Sequence, residues 1–398
     1  MRARTVLVCG AGIAGPTLAY WLNRFGFAPT LLERAPTLRS NGYVIDFWGL
    51  GYDIAEKMGL LPQLCSAGYY VKELRIVDAH GNRISGFSTK IFDELAAGRF
   101  VTIGRSDLSR LIFAAIADDC EVIFGDGIQA IDQEKDGARV TFERGQTRRF
   151  DLVIGADGLH SAVRSLAFGP QEKYENKLGY TVAAFEAPGY RPRDEDAYVV
   201  YEKPGRQVGR FALHDDSTLF LFVLAHDIDH PSYPRAVDAQ KLFLRNAFAK
   251  DGWELPQILA ELNGCAELYF DRVSQIRMDA WSRGRVGLIG DAAFCVSLLA
   301  GQGAALAMTA AYVLAEELAA ANGAYEAAFR RYEQLLRPYI AGKQRAAVRF
   351  ASSFAPKTRL GLAIRHVAMN AFRISTIAKF AIGRDLVADQ FKLPHYSF

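Results

Sequence analysis

Residues 5–33, TVLVCGAGIAGPTLAYWLNRFGFAPTLLE, constrain the fold more than any other stretch. Thr5 to Cys9 is a run of β-branched and apolar residues that reads as a buried parallel strand. Gly10, Gly12 and Gly15 follow as G-x-G-x-x-G. Behind them Leu18, Leu22 and Phe25 recur at helical spacing, with Pro16 in the first turn, where a missing N–H costs nothing. Thr30 to Leu32 reads as a second strand ending at Glu33. In such a unit the first glycine permits a tight turn and the second leaves room for a pyrophosphate. The third lets helix and strand pack closely, and the helix N-terminus offers free N–H groups and partial positive charge. Glu33, close to the expected spacing of about 20 residues, can accept hydrogen bonds from a ribose 2′-hydroxyl. The stretch predicts a dinucleotide site in a doubly wound α/β sheet; a glycine-rich turn of some other α/β protein is the plainer alternative. A carboxylate at position 33 repels a 2′-phosphate, so the resident dinucleotide is expected to be NAD or FAD rather than NADP.

The chain has 398 residues, room for two or three domains with ample core. Its net charge of +3 is unevenly spread: from Arg337 onward 11 Lys and Arg face two acids, so the tail carries +9 and the rest −6. The five cysteines, Cys9, Cys65, Cys120, Cys265 and Cys295, are far apart and form no C-x-x-C. They predict neither a disulfide framework nor a zinc site, and suit a reducing compartment such as the cytoplasm. Residues 1–20 are apolar after two arginines, yet their glycines fit a strand–turn–helix better than a signal peptide. No charge-free stretch is long enough to predict a membrane span.

Farther along, Tyr43 to Phe47 reads as a strand and residues 51–58 as a helix. Residues 71–99 alternate around His80-Gly81-Asn82 as a hairpin. In TIGRSDLSRLIFAAIA, Ser106 is a candidate N-cap for a helix carrying Leu108, Leu111, Ile112 and Ala115 on one face. Phe150 to Arg164 is a buried strand running into Gly155-Ala156-Asp157-Gly158. From there to about Phe270 the pattern is strand-like, interrupted by a helix over 239–249, which predicts a separate, largely antiparallel sheet. Arg285 to Ile289 is again a buried strand, closed by Gly290-Asp291. Gly301-Gln302-Gly303 opens an Ala-rich helix to about Ala321.

Three glycine–acid pieces thus stand far apart in sequence, each behind an apolar strand, as loops at the C-terminal ends of strands in a doubly wound sheet should. With Arg105 added, the set resembles the flavin-dependent aromatic hydroxylases of the para-hydroxybenzoate hydroxylase type, and most closely the tetracycline-modifying monooxygenase group, over roughly residues 1–320. The resemblance implies an α/β fold: a discontinuous, FAD-binding, Rossmann-like domain with an inserted, mostly antiparallel substrate sheet and a C-terminal helical tail. The expected division is 1–70, 100–170 and 275–330 for the FAD domain, 71–99 and 171–274 for the substrate domain, and 331–398 for the tail. It also implies FAD as cofactor and NAD(P)H as a transient reductant without a domain of its own, in keeping with the absence of a second G-x-G-x-x-G. By the same resemblance Gly10, Gly12 and Gly15 hold the FAD pyrophosphate, with Ala14 beside them. Glu33 binds the adenosine ribose, with Arg34 next to it, and Arg105 reaches the FAD chain. Asp157 serves FAD and NAD(P)H, and Asp291 binds ribityl hydroxyls. Gly301, Gln302 and Gly303 bring a helix N-terminus to the isoalloxazine N1–C2=O, where a reduced flavin is anionic.

The chain departs from that family at Phe294, where a His is usual, and at Leu298, where a proline near the reactive face of the flavin is expected. Both changes leave the FAD ligands intact and alter the oxygen-handling surface. Asp46 could approach flavin or substrate. Arg210 and His214, in GRFALH, could anchor a phenolate or ketone from one side of a strand, or be surface hairpin charges. Asp46, Arg210 and Leu298 are therefore the candidates for the reacting region. His226, Asp227, Asp229 and His230 read as a solvated loop rather than a metal site. Residues 360–382 read as a C-terminal helix packed across both domains or as a surface helix touching an anionic membrane. A nucleic-acid partner lacks any supporting motif. The expected activity is hydroxylation of a hydrophobic, aromatic or polyketide-like small molecule by molecular oxygen, in a monomer or homodimer. The alternatives are a flavin dehydrogenase, an FAD-retaining non-redox enzyme, or a hydrophobic-ligand sequestering protein.

Overall fold

The structure is a computed structural model that describes residues 4–38, 42–226, 233–372 and 391–394. In chain order its elements begin β1 (Thr5–Cys9), α1 (Ala14–Arg24), β2 (Ala28–Glu33), β3 (Val44–Trp48), α2 (Leu50–Lys57), α3 (Leu61–Ala67), β4 (Glu73–Val77) and β5 (Arg83–Ser88). There follow α4 (Lys90–Leu95), β6 (Phe100–Gly104), α5 (Arg105–Ala114), β7 (Glu121–Phe124), β8 (Ile128–Glu134), β9 (Gly137–Phe142), β10 (Thr147–Phe150), β11 (Leu152–Gly155) and α6 (Ala162–Phe168). The second half contains β12 (Glu175–Pro188), β13 (Ala197–Lys203), β14 (Arg206–Ala212), β15 (Ser217–Ala225), α7 (Val237–Phe248), α8 (Leu255–Gly264), β16 (Tyr269–Ile276), β17 (Ser282–Arg283) and β18 (Val286–Leu288). It closes with α9 (Asp291–Phe294), α10 (Gly303–Ala320), α11 (Tyr325–Phe354) and α12 (Arg359–Ala371).

Six strands form one sheet in the order β17-β18-β11-β1-β2-β7, parallel except at β17. Val6 to Val8, Leu152 to Ile154 and Val286 are wholly buried, as a parallel sheet covered on both faces demands. The chain leaves β1 towards β2 on one side, while β11 and β18 lie on the other. This reversal opens a crevice at the C-terminal ends of β1 and β11. The register sets Cys9 opposite both Gly155 and Leu32, and Gly155 opposite Leu288, so the glycine–acid loops leave one edge together.

A seven-stranded sheet, β16-β12-β15-β14-β13-β4-β5, stands over that edge, antiparallel except where β13 meets β4. One face packs on α7 and α8 through Phe185, Phe220, Phe222, Phe248 and Ile258. Its other face carries Ala184, Phe211 and Leu219 against Tyr43, Tyr69 and Tyr269. The mostly strand-like expectation for 171–270 is corrected at α8. Pro256 in its first turn and the i, i+4 pair Ile258 and Leu262 signal a helix that the alternation elsewhere obscures. The N-cap of α5 is Gly104 rather than Ser106, one of the end shifts that capping patterns leave open.

Helix α10 is buried from Leu306 to Leu318 between α1, α2 and α11. By length and composition it is apolar enough to cross a membrane, but such all-round hydrophobicity equally marks a core helix, and 72% of it is buried. Gly51 lets α2 approach it, since a Cβ there would meet Ala305 Cα at 2.6 Å. Within α10, Glu316 is 4% exposed, and its Oε2 has no hydrogen-bond partner while Tyr312 bonds the carboxyl. Burial holds that carboxyl above its ordinary value of 4.5, so its contribution is complete below that value and is lost as pH rises through the higher folded one. Thermal melts of wild type and Glu316→Gln should therefore diverge in favour of the variant as the pH rises above about 4.5. Parallel pH profiles would refute this.

Helix α12 docks on the seven-stranded sheet in an unusual way. Its charged residues turn inward: buried Glu202 on β13 accepts from Arg365 and lies 2.6 Å from His366 Nε2. Leu360, Ile364 and Val367 face outward, 71%, 62% and 71% exposed. Of the expected segment 360–382, residues 373–382 lie outside the described residues, as do Asp227, Asp229 and His230.

Candidate active site

The three glycines of the first loop meet three different surroundings. Gly10 has φ +107°, and a Cβ on it would strike the Ala156 carbonyl oxygen at 2.5 Å, so the loops after β1 and β11 touch. A Cβ on Gly15 would lie 1.9 Å from the Gly10 oxygen. Gly12 alone has nothing within 4 Å and opens on free space at the N-terminus of α1, whose N–H groups have no side-chain cap. Ala14 is buried in the first turn, with its Cβ beside Gly290. Glu33 braces the loop: Oε2 accepts from Ala11 N–H at 2.8 Å and Oε1 from Ala35 N–H at 2.9 Å. Arg34 projects outward and pairs with Glu143 at 3.3 Å.

Asp157 accepts from the Ser161 hydroxyl at 2.5 Å and Val163 N–H at 3.1 Å, which fixes the turn into α6. The first residue of α9, Asp291, lies 3.9 Å from where a Cβ on Gly303 would stand, hence beside the N-terminus of α10. Burial raises both carboxyls; at Asp291 the Arg105 guanidinium and the Cys295 thiol oppose the rise. Arg105 opens α5, its N–H donating to Tyr43 O at 3.0 Å. Sequence reasoning passed over Arg164, which is fully buried and joins these loops. Its guanidinium donates to Ala292 O at 2.9 Å, to Leu159 O at 2.6 Å and to Gln171 Oε1 at 3.1 Å. The signal was present in its spacing from Asp157, but only the fold shows what it reaches.

Gly301 adopts a left-handed φ of +66°, and Gln302 precedes α10 without a side-chain cap, so the helix N-terminus is open. Asp46 on β3 lines a narrow cleft with Gly301, Gln302 and Thr309. It stays accessible there although protein rings it, and burial raises its carboxyl while the Thr102 hydroxyl donates to Oδ1 at 2.7 Å. Leu298 is half-buried against Tyr180, Val182, Val223 and Phe354, beneath the seven-stranded sheet.

Arg210 is a correction. It lies on the α8 side of β14, 4% exposed, donating to Asp194 at 2.5 Å and Glu254 at 3.0 Å, beneath Trp253. His214 stacks on Tyr69 on the opposite side, 4.2 Å between rings. The two do not share a face, and Arg210 is a neutralised structural cation. Unforeseen too was His160, whose Nε2 lies 3.1 Å from Asp271 on β16 and whose Nδ1 lies 3.2 Å from Gln171; Asp271 holds the imidazolium above its ordinary range. Among the described residues no cluster suits a metal, and all five cysteines are free.

Comparison with known proteins decides the family. Residues 3–345 match the model of an FAD binding domain. A flavin-dependent monooxygenase from an unknown prokaryotic organism is 38% identical over 356 residues, covering 88% of this chain and 89% of the relative. Another, from Legionella longbeachae serogroup 1, is 34% identical over 368 residues, 88% and 90% of the two chains. The chain belongs to the FAD-dependent monooxygenases. The crystal structure of the tetracycline destructase Tet(51) matches the whole of this monooxygenase at 32% identity with a TM-score of 0.84, each chain covered completely. The geometry fits FAD independently: an open Gly12 at an uncapped helix, and the carboxylates of Asp157 and Asp291 held accessible in the interior along one crevice. The α/β architecture with its overlying mixed sheet and helical C-terminal region is that of these relatives.

Proposed function

We propose that this monooxygenase hydroxylates a hydrophobic, aromatic or polyketide-like small molecule, with NADH or NADPH as transient reductant. The observation that carries the reading is the apolar and aromatic face of the seven-stranded sheet, Ala184, Phe211 and Leu219 with Tyr43, Tyr69 and Tyr269, turned towards the glycine–acid crevice. We assign residues 1–70, 100–170 and 275–330 to the FAD unit, 71–99 and 171–274 to the substrate unit, and 331–398 to a helical closure.

In this reading FAD supplies the electron transfer and oxygen activation. Gly10, Gly12, Ala14 and Gly15 accommodate the pyrophosphate at the α1 N-terminus, and Glu33 and Arg34 border the adenosine end. Arg105 balances the negative charge of the site, Asp157 orders the second loop, and Asp291 accepts from the ribityl hydroxyls. The N-terminus of α10, which begins at Gly303 behind the turn of Gly301 and Gln302, stabilises negative charge on the flavin ring. Asp46, with its raised carboxyl, retains a proton to a higher pH than an ordinary aspartate and can exchange it at Oδ2, the oxygen Thr102 leaves free. Leu298 and the tyrosines exclude water from the reacting face.

The test is NAD(P)H oxidation by the FAD-loaded enzyme with and without planar phenols, with mass spectrometry for a product gaining one oxygen atom. Ligand-independent oxidation and no oxygenated product from a broad panel would sink the reading. Leu298 offers a sharper expectation. Leucine excludes water but cannot stiffen the backbone as proline does, so without substrate most reducing equivalents should emerge as hydrogen peroxide. Leu298→Pro should lower the peroxide fraction by about twofold in a peroxidase-coupled assay; an unchanged fraction in the folded, FAD-loaded variant would refute the assignment.

A further inference from the structure

None of the residues assigned to the flavin or the reacting face lies on α12, and the match to the FAD binding domain ends at residue 345, before that helix begins. Its 13 residues, about 20 Å of helix, divide cleanly into two sides. Leu362, Arg365 and Met369 turn to the seven-stranded sheet. Leu362 and Met369 are buried there, and Arg365 donates to Glu202 and Gln207. Leu360, Ala363, Ile364, Val367 and Ala368 are exposed and make an unbroken apolar stripe on the opposite side. An ordinary surface helix sinks its apolar side and leaves its charges in water. Here Glu202 draws Arg365 and His366 inward, and Leu360, Ile364 and Val367 are the most exposed large aliphatic side chains of the described residues. The described chain beyond α12 does not return over them: Phe372 packs on Phe87, 5.8 Å between rings, and Phe391 stacks on Tyr339 of α11 at 5.4 Å.

The surroundings of the stripe are basic. Between Glu333 and Asp385 the chain has ten Lys and Arg and no acid. Lys357 and Arg359 are exposed at the start of α12, and Arg345 and Arg349 are exposed on the C-terminal third of α11. An apolar stripe flanked by cations matches the two layers of an anionic bilayer, acyl chains for the stripe and headgroups for the cations. It matches a second copy of this chain poorly. One stripe on a helix of 13 residues cannot bury the roughly 1,200 Å² that a specific dimer needs, and pairing would bring two basic surfaces together.

We infer that α12 lies flat on an anionic phospholipid bilayer, with Leu360, Ile364 and Val367 among the acyl chains and Lys357 and Arg359 at the headgroups. The attachment is peripheral. Glu202 on β13 and Ser85 on β5, whose hydroxyl donates to His366 O at 3.2 Å, hold the helix to the sheet, so it docks as part of the folded protein. The substrate unit, to which α12 is bonded, thereby sits against the lipid.

The test is cosedimentation of the FAD-loaded full chain with vesicles of phosphatidylcholine, alone or with about one-third phosphatidylglycerol. Anionic vesicles should bind it about tenfold more tightly than neutral ones, and the difference should shrink at high salt. Combining Leu360→Gln, Ile364→Gln and Val367→Gln should weaken binding to anionic vesicles by about tenfold or more. Flavin content and melting temperature should not change, because all three side chains face away from the fold. Lys357→Gln with Arg359→Gln should reduce the preference for anionic vesicles severalfold. Binding to neither vesicle, equal binding to both, binding that survives the triple substitution, or a preference untouched by the double one would overturn the inference. So would a wild-type dimer, seen by sedimentation velocity, that the triple substitution turns into monomers while vesicle binding is absent; the stripe would then belong to a second copy.

Discussion

A Gly12→Val chain is expected to fold with wild-type stability and to purify without flavin, whereas Gly15→Ala should scarcely fold at all. The contrast follows from the space around each glycine. A side chain at position 12 meets nothing of the protein within 4 Å, so the apo fold tolerates it. The valine occupies instead the volume from which the α1 N–H groups reach a pyrophosphate, and FAD affinity should drop by about a hundredfold or more. At position 15 the smallest possible side chain lands 1.9 Å from the Gly10 carbonyl, backbone against backbone, where no rotamer change gives relief. The cost is about 3 kcal/mol or more, a large share of the stability of a typical domain. Flavin absorbance, FAD titration and urea melts of both variants settle it. Flavin retained by Gly12→Val, or a stable Gly15→Ala, would show that the loop had been misread.

The second large effect is expected at Arg164. Its guanidinium spans from Leu159 O, in the loop after β11, to Ala292 O, next to Asp291. Replacement by Met keeps the stem and removes three charge-assisted donors, leaving the Leu159 and Ala292 carbonyls without this partner while Gln171 keeps His160, at a cost of about 1–3 kcal/mol for each group left so. Since Asp157 and Asp291 sit on the loops so tied, FAD affinity should fall together with apo-protein stability, and Arg164→Lys should restore part of both. Stability and FAD dissociation constant measured on the same preparations decide the matter. A destabilised Arg164→Met with wild-type FAD affinity would confine the residue to the scaffold.

How much of this was legible in the chain depended on whether the signal was local. The unit from Thr5 to Glu33 encloses its own turn, helix and acid within one stretch, so its architecture could be read directly. Asp157 and Asp291 were legible as loop acids because each follows a buried strand. Their neighbourhood was not, since it depends on Arg164 reaching another loop 128 residues away. Arg210 failed for a different reason. A strand covered on both faces alternates without revealing which side is which, and here one side packs on helices and the other looks over the crevice. His160 and Asp271 sit 111 residues apart on elements that meet only in the assembled molecule. Helix α8 was obscured by the strand-rich stretch around it.

The parallel pairing of β13 with β4 bears on how the molecule is made. Residues 73–77 and 83–88 emerge from the ribosome as a two-stranded ribbon whose free edge finds its neighbour only when Ala197 to Tyr201 arrive more than a hundred residues later. Until then that edge is an open template for other chains, and closing so long a loop is slow. The same weave means that residues 171–274 cannot be cut out, or exchanged with those of a relative, as a self-contained cassette. A graft that aims to change substrate range must bring residues 71–99 with it, or leave the transplanted sheet with an unpaired flank beside β13.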